Sequence, residues 1–186
     1  MVSIYPLLIQ LTINEIVLED LTDVQRLLRE TFTAVSEKTY PAEIMEYSRE
    51  YYTIERLTRR LLSPHAIALG AFSDGELTGC AWGALYEDGV LSVEWAVVRG
   101  DMVGKGIFSR LLTELEDRGR SKGAFKAFLY ASIKNAPAVR RYLKLGYSVE
   151  GVHRNHFFGW DFVSMGKILA KKDHRGNITM QPDATW

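Results

Sequence analysis

The chain has 186 residues, 47% of them hydrophobic and 25% charged, which fits one globular domain and excludes a disordered or collagen-like chain. Lys plus Arg and Asp plus Glu stand at 23 each, so no field of one sign exists to hold nucleic acid or an anionic membrane as a main partner. Cys80 is the only cysteine, which excludes an intrachain disulfide and makes a cytoplasmic location the expectation.

Met1 to Gln10 carries an apolar stretch without a basic lead or a small-residue cleavage pattern, and is read as an N-terminal extension rather than a signal peptide or anchor. Leu11 to Val17 alternates as a first strand. Asp20 sits at an N-cap position, and Leu21, Val24, Leu27, Leu28 and Phe32 give the next helix one apolar face. Pro41 opens a second predicted helix with Ile44 and Met45 on its apolar side; Ile54, Leu57 and Leu61 mark a third that stops at Ser63-Pro64. The period then changes. Ile67 to Phe72 and Leu77 to Tyr86 read as strands joined by a turn at Asp74-Gly75, and Asp88-Gly89 leads into a third strand, Val90 to Val98. A helix from about Gly104 to Lys122, with Ile107, Phe108, Leu111, Leu112 and Leu115 as its stripe, crosses over to a strand from Ala124 to Ala131. Asn135 to Leu145 forms the last helix, closed by Gly146. Tyr147 to Phe158 and Phe162 to Leu169 pair across Gly159-Trp160. The expected fold is α/β: one domain over 11–169, a mixed, mostly antiparallel sheet of about seven strands with helices on both faces, and a polar tail from 170 to 186.

Strand Val90 to Val98 carries large apolar residues at its odd positions, Leu91, Val93, Trp95 and Val97. Strict alternation places Glu94 on the other face between Ser92 and Ala96. A carboxylate within a central strand needs a solvated cleft or a partner, so Glu94 marks either a cleft or an ion pair with an arginine. The strand runs into Arg99-Gly-Asp-Met-Val-Gly104-Lys-Gly106-Ile-Phe-Ser-Arg110, where glycines bring backbone close to a ligand and the helix start offers free N–H groups to an anion. This is not the ATP-binding P-loop. Gly100 and Gly104 are one residue too close, Gly106 stands where a magnesium-holding Ser or Thr belongs, and the three-glycine dinucleotide pattern is missing.

Two motifs here resemble those of the GNAT superfamily of N-acetyltransferases. Asp101-x-x-Gly104-x-Gly106 matches both glycines of the first signature, with Asp101 where the family has Arg or Gln. Asn135-x-x-Ala138-x-x-x-Tyr142-x-x-x-Gly146-Tyr147 matches the second in full. The resemblance covers most of the chain and implies the GNAT fold, acetyl-CoA as co-substrate and direct acetyl transfer to a primary amine in a ternary complex. It puts the cofactor's pyrophosphate on Val103, Gly104, Lys105, Gly106, Ile107, Phe108 and Ser109, and its pantetheine arm along the backbone of Trp95, Ala96, Val97 and Val98. It also implies that Asn135 bonds that arm and that Tyr142 reaches the sulfur, to protonate the departing thiolate as catalytic acid. An ammonium cannot attack a thioester without losing a proton, and Glu94, placed by the strand alternation first and the resemblance second, is the expected catalytic base; no metal is expected. Asp101 either turns outward or is compensated by Arg99, Lys105 or Arg110.

A protein N-terminus, a lysine, a polyamine or a small-molecule amine are all open as acceptor, and so is a homodimer. The alternatives are a catalytically silent acyl-CoA-binding or sensory domain and an interaction domain without cofactor. The aromatic and acidic stretch of Tyr40, Tyr47, Tyr51 and Tyr52 with Glu43, Glu46 and Glu50 is expected to border the acceptor. His153 and His156, three apart on a strand, are expected on opposite faces and so make a poor metal pair. Cys80 is read as a packed strand residue.

Overall fold

In the computed structural model, which describes residues 11–36, 46–47 and 50–170, the chain runs β1 (Leu11–Glu15), α1 (Leu21–Ser36), α2 (Ile54–Leu61), β2 (Ala66–Ser73), β3 (Glu76–Leu85), β4 (Val90–Val98), α3 (Ile107–Ser121), β5 (Lys126–Ser132), α4 (Ala136–Lys144), β6 (Ser148–Phe157) and β7 (Trp160–Ile168). The helix expected at Pro41, Tyr40 and Glu43, the extension 1–10 and the tail beyond 170 lie outside the described residues.

All seven strands join one sheet in the order β1-β2-β3-β4-β5-β7-β6. Only β4 and β5 are parallel, with α3 as the crossover between them. The β2–β3 turn uses Asp74 and Gly75 at φ 52° and 83°, the left-handed pair that a tight hairpin needs. Between β6 and β7 the same conformation falls on Phe158 and Gly159, at φ 48° and 76°, one residue earlier than expected. Helix α3 starts at Ile107 rather than Gly104, because Gly104 and Gly106 take φ values of 91° and 79° that a right-handed helix cannot hold.

The sheet separates two apolar layers. On one side Leu111, Leu112 and Leu115 of α3 pack with Leu69, Ala81, Leu91 and Leu129. On the other, Val24 and Leu28 of α1 and Leu57 of α2 pack with Cys80, Trp82, Trp95 and Val97. Removing a fully buried leucine such as Leu111 would cost about 2–5 kcal/mol, through lost transfer energy and the cavity left behind. Cys80 belongs to the second layer, and burial pushes its thiol up to about 12, so it is a packing residue.

Strict alternation along β4 fails at one point. Trp82 of β3 pairs with Trp95, but Gly83 pairs with Val93, so Glu94 is the extra residue of a β-bulge. Leu91 and Val93 therefore face the α3 layer, whereas Trp95 and Val97 face the α1 layer, and the odd positions do not share a face. Gly83 is needed opposite the bulge, since a Cβ there would come within 2.9 Å of the Ser92 carbonyl oxygen.

Candidate active site

The parallel ladder between β4 and β5 lasts only three residues, Val90 to Ser92 against Lys126 to Phe128. From Val93 onward the strands part. A cleft of about 760 Å³ opens between them, lined by Glu94, Trp95, Ala96, Val97 and Val98 on one wall and by Tyr130, Ala131 and Ser132 on the other. Among the described residues the backbone of β4 on this side has no strand partner, so its polar groups are available to a ligand that enters the gap. Val103, Phe108, Asn135, Ala138 and Tyr142 close the cleft on the α3–α4 side.

At the end of β4 the chain makes a short 3-10 turn, Gly100–Met102, and then passes through Gly104 and Gly106 into α3. Nothing lies within 4 Å of the place where a Cβ would stand on either glycine, so both leave backbone open to an approaching group. The first helical bond runs from the Arg110 N–H to the Gly106 carbonyl, which leaves the amides of Ile107, Phe108 and Ser109 as the orphan donors of the helix start. A phosphate suits this cradle. The side chains here differ in use: Ile107 is buried in the core, and the Lys105 ammonium lies 3.1 Å from the Met102 sulfur. Asp101 is turned to the surface, where Arg99 grips it with two bonds of 2.7 and 3.1 Å and also reaches Glu76 at 3.1 Å. This grip holds the Asp101 carboxyl below the usual carboxylate range, so its charge is present but paired.

Asn135 is the N-cap of α4, its side chain accepting from the Ala138 N–H at 3.3 Å. Its side-chain oxygen is thus in use, and its amide NH2 is what remains for a ligand. At the other end of α4, the Gly146 N–H donates to the Leu143 carbonyl and the Tyr147 N–H to the Tyr142 carbonyl, both at 3.1 Å, with Gly146 at φ 90°. This is a Schellman closure, and the expected ring contact accompanies it: Tyr147 meets Tyr142 at 5.6 Å between centroids. The Gly-Tyr pair of the second motif therefore fixes Tyr142, which Phe108 holds from the other side at 5.6 Å. Burial pushes the Tyr142 phenol up to about 12, so it carries its proton throughout the neutral range.

Glu94 reaches the cleft from the bulge, and its carboxylate pairs with Arg60 of α2. The Arg60 guanidinium also bonds the Tyr51 hydroxyl and lies 4.9 Å from the centre of the Trp95 ring and 5.3 Å from that of Tyr51. Burial raises the Glu94 carboxyl above its ordinary range, and the charge and hydrogen bond of Arg60 offset part of that rise. Sequence alone allowed a cleft or an ion pair; the structure has both on one carboxylate. Arg60 carries no motif, and its spacing on an exposed-looking helix gave no signal.

His153 and His156 are not on opposite faces. Their rings lie 5.3 Å apart, and both touch the Tyr130 ring. The β6–β7 ladder is irregular between His153 and Phe157, and Asn155 turns to φ 50° with its N–H bonded to Asp161 at 3.0 Å, which resets the alternation. His153 is bound to Ser164 at 2.9 Å, and among the described residues no group of three or more His, Cys, Asp or Glu is placed to hold a metal ion. Two further groups escaped sequence reasoning. The hydroxyls of Ser132 and Thr31 are buried at the cleft without a hydrogen-bond partner among the described residues. No helix among the described residues is long and apolar enough to cross a membrane.

The model of the acetyltransferase (GNAT) family matches residues 21–147. The chain belongs to this family. No curated protein matches it. Among solved structures, PaiA N-acetyltransferase from Thermoplasma acidophilum in complex with coenzyme A is similar at 26% identity and TM-score 0.77, over 86% of this chain and 99% of that one. Aminoglycoside 6'-acetyltransferase type Ii has 22% identity and TM-score 0.72, over 87% and 99%. The ribosomal-protein-S18-alanine N-acetyltransferase of Escherichia coli has 16% identity and TM-score 0.71, over 89% and 97%; these last two share the GNAT fold with this chain.

Proposed function

We propose that this GNAT acetyltransferase moves acetyl from acetyl-CoA to a primary amine by direct attack within the β4–β5 cleft. The observation that carries this reading is the joint opening of one cleft onto the unpaired edge of β4, the glycine turn at the start of α3, Glu94 and Tyr142. The residues fit acetyl-CoA. Amides at Ile107 to Ser109 meet the pyrophosphate, the β4 edge from Trp95 to Val98 pairs with the pantetheine arm, and the NH2 of Asn135 reaches the same arm.

An ammonium has no lone pair, so it must lose a proton before it can attack. Glu94, raised above the ordinary carboxylate range by burial, takes that proton directly or through a water. The amine nitrogen then bonds the thioester carbon, and a backbone N–H near Ala96 or Val97 holds the developing oxyanion. As the carbon–sulfur bond breaks, the electron pair goes to sulfur and the Tyr142 hydroxyl donates to it. The nitrogen loses a second proton on the way to the amide, so the reaction returns one proton to the thiolate and releases one to solvent.

A silent acyl-CoA-binding domain draws support from the Arg60 pair, which occupies the Glu94 carboxylate. Glu94→Gln decides between them, with thermal shift by acetyl-CoA and CoA release in the presence of an amine panel measured together. The enzyme reading expects acetyl-CoA to stabilise both proteins. Parental turnover should fall by about 10²–10⁴-fold near neutral pH in the variant and recover at alkaline pH. Stabilisation without turnover in the parent points to the silent domain.

A further inference from the structure

The cleft has two mouths of different chemistry. On β5, Ala127, Leu129 and Ala131 point into the α3–α4 layer, so Tyr130 and Ser132 project to the opposite side of the sheet, the side of α1 and α2. The glycine turn, Phe108 and Tyr142 lie on the first side. Glu94 is turned to the second, where α2 holds it. That second mouth is ringed by aromatic side chains in unbroken contact. Tyr52 meets Tyr51 and Tyr51 meets Tyr47, each at 5.3 Å between centroids. Tyr47 crosses to Phe157 of β6 at 5.6 Å, Phe157 meets Phe162 of β7 at 6.2 Å, and Phe162 leads through His156 to Tyr130 at 5.8 and 4.9 Å. Every ring of this arc lines the cleft.

Among the described residues, charge at this mouth is sparse. Glu94 is the only carboxylate among the described lining residues, and it is already paired with Arg60; Lys134 is a cation, and Arg141 lies over Phe108 on the first side. The π faces of Tyr51 and Trp95 are also engaged by Arg60. One carboxylate provides for one ammonium, and an extended polycation would leave its other charges against rings and lysine. A flat apolar body, in contrast, is what a wall of rings packs against.

Resting on the acetyltransferase reading, we infer that the acceptor is a small arylalkyl monoamine, its nitrogen at Glu94 and its ring along the arc from Tyr47 to Phe157. Tyr47 and Phe157 are then specificity-determining residues. The exposed position of Tyr47, which bridges the two sides of the mouth, makes it the informative substitution.

The experiment measures CoA release with acetyl-CoA and phenethylamine, tryptamine or spermidine, for the parent, Tyr47→Ala and Phe157→Ala. Thermal shift by acetyl-CoA on each protein reports intact folding and cofactor binding. The parent should favour the two aryl amines over spermidine by about tenfold in kcat/KM, and each variant should bring that ratio toward one. Spermidine used as well as or better than the aryl amines, a ratio unmoved in both variants, or acetyl-CoA binding with none of the three amines acetylated overturns the inference. Absence of any thermal shift with acetyl-CoA on the folded parent instead overturns the acetyltransferase reading beneath it.

Discussion

Arg60→Met removes the guanidinium while keeping an unbranched stem against Trp95 and Tyr51, so it isolates the charge that faces Glu94. The pair is partly buried, with side-chain exposures of 32% for Arg60 and 22% for Glu94. Two unit charges about 4 Å apart interact by about 1 kcal/mol in water and about 4 kcal/mol at a protein surface of intermediate dielectric. The Glu94 carboxyl should therefore rise further above its ordinary range when Arg60 is lost, since burial would then act on it without the opposing charge and hydrogen bond. A base must be deprotonated to work. The acid limb of the kcat/KM profile should therefore move to higher pH, with activity recovering above it. Stability follows the same sign. A carboxyl that titrates higher folded than unfolded destabilises the native state only once pH exceeds the unfolded value, so the variant should match the parent at acid pH and lose ground as pH rises. The assay is a pH–rate profile for parent, Arg60→Met and Glu94→Gln with one amine, whose own ionisation is then common to all three. A limb that vanishes in Glu94→Gln yet stays in place in Arg60→Met refutes the ion-pair reasoning; a limb that persists in Glu94→Gln refutes Glu94 as the base.

Gly106→Val should weaken acetyl-CoA binding at least tenfold by calorimetry, because a branched residue at φ 79° is strained and its side chain fills the space in front of the turn. Parental affinity would make the turn purely structural. Tyr142→Phe should keep acetyl-CoA affinity and lower kcat, since only a buried hydroxyl is lost; equal kcat would remove Tyr142 from the chemistry. Asp101→Gln, which frees Arg99 from its two bonds, should tighten acetyl-CoA severalfold at low salt and lose that gain near molar salt, where charges are screened within about 3 Å. An affinity indifferent to both substitution and salt would show that this carboxylate lies outside the phosphate field.

The order of elements was legible because each rests on a local signal: helical stripes, Asp-Gly turns, a proline stop. The two motifs were legible for the same reason, being short and continuous in sequence. What escaped detection depends on register. Glu94 carries no mark of the bulge that aims it, since the bulge is a relation to Trp82 and Gly83 on another strand. Counting by twos then misplaced Trp95 and Val97, and the same count separated His153 from His156 across the left-handed Asn155. Arg60 was invisible in another way. Its role comes from a packing of α2 against the bulge that joins residues 34 apart, and its neighbours Arg56 and Arg59 look the same in the sequence. Gly146 was legible as the residue that closes α4; that the closure, with Tyr147, also holds the Tyr142 ring appeared only with the hydrogen bonds and the ring contact.

The three-residue ladder between β4 and β5 can also be regarded as a pivot. Strands β1 to β4 with α3 form one arm and β5 to β7 with α4 the other; along the sheet they are pinned together at Val90–Ser92 and Lys126–Phe128. Val98 lies six residues beyond Ser92, roughly 20 Å along the strand at about 3.3 Å per residue. Over a lever of that length, a rotation of about 5° at the pivot moves the far end by roughly 1.7 Å, about half the length of a hydrogen bond between heavy atoms. Leu91 of β4 and Ala127 of β5, both fully buried at the pinned end, therefore bear on the width of the gap at the glycine turn, together with the Phe108–Tyr142 contact that joins the two arms nearer to it. A one-methylene change at Leu91 or Ala127 should then alter the aperture without touching any reacting group, to the extent that the Phe108–Tyr142 contact yields.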